Sequence, residues 1–350
     1  MKRRTWGGIV LGVGIVLLAA GLVVMFAIVP SMKKLPADTN ETRHFTGTMA
    51  VLLNPKTFEF MKGLPVDITR HVFVEKTSGN LSLVDEDITM TTQSQPLAHQ
   101  LNRYIVDSKT MLEASGGPAD WQKLPGVAPR QGIVFAWSPG VEKKDYTAWD
   151  DDYMTTVPVK FVDVVKGGEL DGTYHFTSAS TARPIAPQTV AAMGLPSSLP
   201  VAQVAGLLSK VPLDPKVAAM VQGLLAKSPL PTLPLAYFYS YEGEYWVDQV
   251  TGDPVRMTKH ELRTVGLPDA LLAATPLGQA TEAQKAAMRV PVYDLTYDST
   301  PQSITDALSK DDKLADKLSL WGTTVPLIGI IAGALLAIAG GVLVARKVKA

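Results

Sequence analysis

Hydrophobic and polar positions divide the chain into three parts. Residues Trp6 to Val29 and Thr323 to Val344 are apolar runs that carry no charge, and everything between them is mixed. Each run exceeds the roughly 20 residues a helix needs to cross a hydrocarbon core of about 30 Å. The pattern predicts a transmembrane helix over 6–29, an ectodomain over 30–320, a second transmembrane helix over 321–345, and short tails at 1–5 and 346–350. Small residues recur along both runs: Gly8 and Gly12, Gly14 and Gly21 in the first, and Gly329, Gly333, Ala337 and Gly340 or Gly341 in the second. Such stripes let helix backbones approach closely in lipid, so the two spans are expected to pack, with an antiparallel pair as the sharpest reading.

Lys2, Arg3 and Arg4 precede the first run, and Arg346, Lys347 and Lys349 follow the second, without an acidic residue in either tail. Lysine and arginine beside a span mark the cytoplasmic side. Both tails are therefore read as cytoplasmic and the loop as extracytoplasmic, against the weaker opposing pull of Lys33 and Lys34. The first run is too long for the apolar region of a cleaved signal peptide, and it ends in Met25-Phe26-Ala27-Ile28-Val29-Pro30 without a small-x-small site, so an uncleaved anchor is expected.

The ectodomain reads mostly as β-strand. Thr69 to Lys76 and Leu81 to Thr92 flank a hairpin signal at Thr77-Ser78-Gly79-Asn80. Arg103 to Val106 and Ile133 to Trp137 are shorter candidates, separated by a Gly/Pro-rich loop from Ser115 to Gln131. Val157 to Val165 turns at Gly167-Gly168 and returns through Thr173 to Thr177. Between Leu235 and Val265 the turn residues predict a three-stranded meander, with turns at Glu242-Gly243 and at Thr251-Gly252-Asp253-Pro254. Val290 to Tyr297 is a last strand. The expected class is α+β: an antiparallel, barrel-like β ectodomain with helical insertions and one transmembrane helix at each end.

Two segments change the period from two to 3.6 residues. In the insertion at about 187–228, Val204, Leu207, Leu208 and Val211 share one helical face, as do Val217, Met220, Val221, Leu224 and Leu225. Asp214 and Pro215 are placed to open its second helix. A further helical patch covers about 267–289, with Thr281 and Glu282 opening a helix. Ser303 to Leu320 reads as an amphipathic helix leading into the second span, with Ser303 and Asp306 resembling a capping box.

Charge and composition narrow the function. Six of the 33 basic residues lie in the tails, which leaves 27 against 33 acidic residues and a net charge of −6 outside them. Nucleic acid, which needs a basic surface, is not an expected partner. There are no cysteines, so thiol catalysis and thiolate metal sites are excluded, and an exported domain of this kind fits a bacterial envelope. His44, His71, His99, His175 and His260 show no metal-ligand spacing, and no nucleophile elbow or phosphate-binding glycine loop occurs, so no catalytic residue, metal or cofactor is assigned. The acidic stretch Asp145 to Asp152 lacks the spacing of a calcium loop and reads as a solvated turn. Tyr237, Tyr239, Tyr241, Tyr245 and Trp246 are read as cross-strand packing, with the wall of an apolar cavity as the alternative. The insertion at 187–228 carries only Lys210, Asp214, Lys216 and Lys227 as charges. It either covers the β body or forms an apolar lid over a ligand cavity.

A resemblance adds to this reading. The basic start Lys2-Arg3-Arg4, the segment Leu35-Pro36-Ala37-Asp38-Thr39, the stretch Tyr245-Trp246-Val247-Asp248-Gln249-Val250-Thr251-Gly252 and the stretch Tyr297-Asp298-Ser299-Thr300-Pro301 resemble the actinobacterial PorA-like (porin PorA) family over nearly the whole chain. That resemblance implies an envelope protein and carries no catalytic residue. The layout is also similar to that of class B scavenger receptors, without their disulfides. The expected function is a non-enzymatic, membrane-anchored envelope protein whose ectodomain binds or conducts an apolar ligand, a lipid, in a cavity opening toward the membrane. Candidate lid and wall residues are Val204, Leu207, Leu208, Val217, Met220, Leu224, Tyr237 and Tyr239. Membrane lipid, an apolar ligand, a second copy or other envelope proteins are the expected partners. Alternative readings are a scaffold for envelope components and, behind it, an envelope hydrolase.

Overall fold

The computed structural model describes residues 2–54, 57–114, 116–208, 219, 222–223, 225–226, 231–273 and 276–345. Helix α1 (Lys2–Val23) continues through a π-helical turn at Val24–Ile28 into α2 (Val29–Met32). At the other end α7 (Pro301–Ser319) continues through a π turn at Leu320–Thr324 into α8 (Val325–Ala345). Both helical stretches are long and apolar enough to cross a membrane.

The two spans pack as an antiparallel pair, with their glycines in the seam. Gly7, Gly14 and Gly21 lie seven residues apart on α1 and face, in that order, Gly340, Gly333 and Pro326 on α8. A Cβ added at Gly14 would lie 2.4 Å from the Ala337 backbone nitrogen, and one at Gly333 would lie 2.6 Å from that of Leu18. No side chain fits at these positions, so glycine is what lets the backbones meet. Gly8 and Gly12, by contrast, face open space.

Between the spans stands one ten-stranded antiparallel sheet in the order β4-β3-β2-β1-β12-β11-β10-β7-β6-β5. Its strands are β1 (Asn40–Leu53), β2 (Phe60–Ser78), β3 (Leu81–Thr92), β4 (Gln95–Asp107), β5 (Tyr146–Asp150), β6 (Thr155–Val164), β7 (Tyr174–Pro184), β10 (Ala236–Val247), β11 (Pro254–Gly266) and β12 (Val290–Ser299). Short β8 (Ser198–Pro200) and β9 (Thr232–Pro234) form a separate ribbon. The loop after β4 links the two edges of the large sheet. Val106 of β4 bridges Glu113, Leu112 bridges Ile133, and Ile133 bridges Ala148 of β5. Ile133 both donates to Thr147 O (2.8 Å) and accepts from Trp149 N (2.8 Å). The sheet thus curls into a barrel-like wall whose exposed edges are taken up by this loop.

Strand direction gives the wall a base and a far end. β1 starts just after α2, and β12 ends opposite it, with Phe45 paired to Ser299, so this end faces the spans. Leu53 pairs with Phe60, Val265 with Val290, and Ala236 with Gly266 at the far end. The helical segments gather there: α3 (Pro187–Ala192), α4 (Val201–Leu208), α5 (Asp269–Ala273), a 3-10 turn at Pro276–Gln279 and α6 (Glu282–Ala287). The α6 start is a full capping box between Thr281 and Gln284.

The structure alters several expectations. β10 is one continuous strand through Glu242-Gly243, because Glu242 pairs with His260 and Gly243 with Lys259 without interruption. The expected meander is therefore a two-stranded hairpin, and the Tyr245 ring lies across Gly243 in the space a side chain would fill. The cap of α7 is Thr300, whose hydroxyl accepts from Ser303 N, while the Ser303 hydroxyl accepts from His44 N (2.7 Å). Ser303 is buried against β1 instead of capping. The insertion at 187–228 is helix, ribbon and helix; its expected start at Asp214-Pro215 and the positions Val211, Val217, Met220, Val221 and Leu224 lie outside the described residues.

α7 is tied firmly to the base. Arg43 pairs with Asp253 and donates to Ser303 O (3.3 Å), and Lys310 pairs with Glu41 and approaches Asp253 at 3.6 Å. Thr300 N donates to His44 O (2.9 Å).

Candidate functional site

Period-two alternation decides which side chains the curled sheet turns inward. On β11 these are Lys259, Glu261, Arg263 and Val265, and on β12 they include Tyr293, Leu295 and Tyr297. Tyr237 and Tyr239 of β10, Glu86, Ile88 and Met90 of β3, and Gln100, Asn102 and Tyr104 of β4 face the same space. These residues enclose a cavity of about 540 Å³ inside the wall. That lies within the range of about 300–1,000 Å³ typical of small-molecule sites.

The cavity changes character along its length. At the far end Leu53, Leu199, Leu207, Leu235, Val265 and Val292 line both this cavity and an apolar hollow of about 80 Å³ beneath the helical segments. Val204, Leu225 and Met288 line the hollow from the helical side. Toward the middle the wall becomes charged. Glu261 binds Lys259 Nζ at 2.6 Å and accepts from Tyr239 OH at 2.9 Å. Arg263 grips Asp152 with two hydrogen bonds, 3.1 and 2.7 Å, and lies over the Tyr239 and Tyr293 rings at 4.8 and 4.6 Å. Glu86 is held by Arg70 (2.6 Å), Asn102 (2.9 Å) and Tyr104 (2.6 Å).

These contacts set the protonation states. Burial pushes the Glu261 carboxyl up, but Lys259 and Arg263 beside it prevail and bring it down to about 2. Burial likewise opposes ionisation of Glu86, and Arg70 and its hydrogen-bond donors hold it below the ordinary glutamate value. Asp150 has no such partner, and burial pushes it up to about 6. Tyr239 is raised well above the usual phenol range, by burial first and then by Glu261.

The expected solvated turn at 145–152 is instead part of the wall at its end. Asp150 is 9 % exposed and Asp152 8 %. Asp151 is taken by Arg130 (3.2 Å) and by Trp149 Nε1 (2.9 Å). Among the described residues no group of three or more His, Asp or Glu side chains is placed to hold a metal ion.

A second space lies at the base, about 110 Å³ between the exit of α2, the β wall and α7. Met32, Leu35, Val72, Phe135 and Leu318 supply part of its apolar lining, and its charged lining is Lys33, Lys34, Arg43, Arg70 and Lys310 with the acids Glu41 and Asp253. Arg70 lines this base space and Glu86 lines the interior cavity, so their ion pair stands between the two.

Of the eight residues singled out in the sequence, Val204 lines the far hollow, Leu207 lines hollow and cavity, and Tyr237 and Tyr239 line the cavity. Leu208 ends α4. Val217, Met220 and Leu224 lie outside the described residues. The tyrosines combine both readings considered for them, since Tyr239 packs on Tyr241 at 5.5 Å while also walling the cavity. The cavity's apolar end lies under the helical segments, at the end away from the spans; the expectation set the cavity between the β body and these helices and had it open toward the membrane. Sequence reasoning missed the charged inner stripe of β11. Its signal is the spacing of Lys259, Glu261 and Arg263 opposite the alternate tyrosines of β10, with Tyr239 paired to Arg263 and Tyr241 to Glu261.

No curated protein matches the chain. The family model described as Porin PorA matches residues 6–342. With two apolar helices and a β-rich body between them, the chain is a membrane protein of the cell envelope and belongs to the porin PorA family.

Proposed function

We propose that the ectodomain binds a lipid or another molecule with an apolar tail inside the β wall, and that it works as a non-enzymatic envelope protein. One observation carries this reading: the cavity of about 540 Å³ shares six apolar lining residues with the hollow under the helical segments. The tail lies among Leu199, Leu207, Leu235, Val265 and Val292, and the polar end reaches the charged middle. Burying apolar surface at about 25 cal/mol per Å² supplies the affinity, and the fixed polar groups set orientation. The positive tails support an arrangement with both termini in the cytoplasm and the cavity outside. Conduction fits the same geometry, because the Arg70–Glu86 pair is the partition between the cavity and the base space at the membrane.

Native mass spectrometry of the full chain, purified in mild detergent, tests the reading. We expect an adduct of lipid mass that is lost in Val292→Trp, which fills the apolar end. Wild-type protein free of any adduct, and unable to take up added single-chain amphiphiles, would rule it out.

A further inference from the structure

The charges around the cavity do not cancel. Lys259 is bound to Glu261 (2.6 Å), Arg263 to Asp152 (2.7 Å), Arg70 to Glu86 (2.6 Å) and Arg130 to Asp151 (3.2 Å). One acid remains. Asp150 lines the cavity and is 9 % exposed, and its Oδ1 accepts from the backbone N–H of Tyr153 at 3.0 Å. Among the described residues no lysine, arginine or histidine lies within ion-pair distance of it. Lys259 is the basic group that acts on it most strongly, and that ammonium is already bound to Glu261. The cavity therefore carries one uncompensated negative charge.

The aromatic lining agrees in sign. Ring faces carry negative potential and attract cations. Tyr239 and Tyr293 already hold the Arg263 guanidinium, whereas no described cation lies over Trp149, Tyr237 or Tyr297, which line the same cavity. An anionic head entering here would meet five carboxylates, with both lining bases committed to Glu261 and Asp152. A cationic head would meet a buried carboxylate in need of a partner, and burying an unpaired charge is costly.

We propose that the ligand is an amphiphile with a cationic head, an ammonium or guanidinium, which pairs with Asp150 while its tail fills the apolar end. This rests on the cavity being a ligand site. Full-length protein in phosphatidylcholine nanodiscs is titrated with three chain-matched probes, dodecyltrimethylammonium, dodecyl maltoside and dodecyl phosphate, each below its critical micelle concentration. A charge-assisted contact at a desolvated site predicts binding of the ammonium about tenfold or more tighter than of the maltoside, with the phosphate weakest. Asp150→Asn should abolish the preference, bringing the ammonium affinity down to that of the maltoside measured on the same variant. In wild-type protein the preference should fade as pH drops through about 6, where Asp150 takes up a proton. Equal affinities, tightest binding of the phosphate, or a preference that survives both Asp150→Asn and low pH would overturn the inference and leave the site intact. Failure of all three probes to bind would instead overturn the reading of the cavity itself.

Discussion

The membrane helix pair and the inside of the β wall solve one problem in opposite ways. Each brings protein surfaces together away from water. In the helix pair the contact is made by removing side chains, and Gly7, Gly14, Gly21, Gly333 and Gly340 leave backbone against backbone. In the wall the contact is made by adding them, as acids and bases bound to one another along β11, the turn after β5, β2 and β3. Lipid offers no hydrophobic drive for helices to associate, so close approach is what holds the pair. The cavity needs polar groups that are held in place, so pairing is what makes it tolerable. The helix pair should therefore fail when atoms are added, and the wall when they are taken away.

The largest effect is expected at Glu261, whose side chain is 12 % exposed and compensates both Lys259 and Arg263. Glu261→Leu strands Lys259 and leaves Arg263 with Asp152 alone, and removing one partner of a buried pair typically costs about 3–5 kcal/mol. Thermal unfolding of the full chain in detergent should show a correspondingly lowered midpoint. Adding Lys259→Met to the same chain should recover part of the loss, since an apolar replacement of both partners is often close to neutral. If the double variant unfolds earlier than the single one, the pairing account of the wall is wrong.

The next effect belongs to the helices. Gly14→Leu or Gly333→Leu drives a side chain into the facing backbone at 2.4 or 2.6 Å. Overpacking of this kind costs about 1–3 kcal/mol in soluble cores, and here no neighbouring side-chain tip can swing aside. Disulfide trapping between cysteines introduced at Leu11 and Ala337 should lose efficiency in either variant. Gly8→Leu and Gly12→Leu, which face open space, should leave it unchanged. Equal loss in all four variants would mean that the seam does not depend on this stripe.

The two regions also differ in how far the sequence reveals them. A helix in lipid must satisfy its backbone internally and keep an apolar surface, so length, composition and glycine spacing carry the whole signal. Even so, the pairs at Gly8 and Gly12 are no different in kind from those in the seam, and only the partner helix separates them. In the β body, the hairpin at Gly79-Asn80 and the strand from Val290 are plain because turn residues and alternation agree. β1 is missed, as Thr42, Arg43, His44, Thr46 and Thr48 dilute the apolar alternation of Phe45 and Met49. Glu242-Gly243 looks like a turn because glycine permits one, but pairing on both sides of β10 overrides local preference. The cavity is hardest to see. Lys259, Glu261 and Arg263 have the pattern of a solvated face, and only ring-like closure through Leu112 and Ile133 turns that face inward.

The smallest effect separates two acids of the same wall. Glu261 has its carboxyl pulled from 4.5 to about 2, so it adds stability that is present above pH 4.5 and lost as pH falls toward 2. Asp150 has its carboxyl pushed from 3.8 to about 6, so the folded state holds a proton that the unfolded state has released. Its contribution therefore runs the other way: stability declines as pH rises from 3.8 to 6 and stays lower above that. A shift of this size corresponds to at most about 3 kcal/mol at 1.36 kcal/mol per unit, and residual solvent access brings the expected figure nearer to 1–2 kcal/mol. Asp150→Asn should thus raise the unfolding midpoint of ligand-free protein at pH 7.5 and leave it little changed at pH 4. Cationic amphiphile at one fixed concentration should raise the wild-type midpoint in the same pH range more than it raises that of the variant, which keeps only the tail contacts. A midpoint for Asp150→Asn below wild type at pH 7.5 would mean that Asp150 is already compensated, and the charge difference between the two acids would disappear.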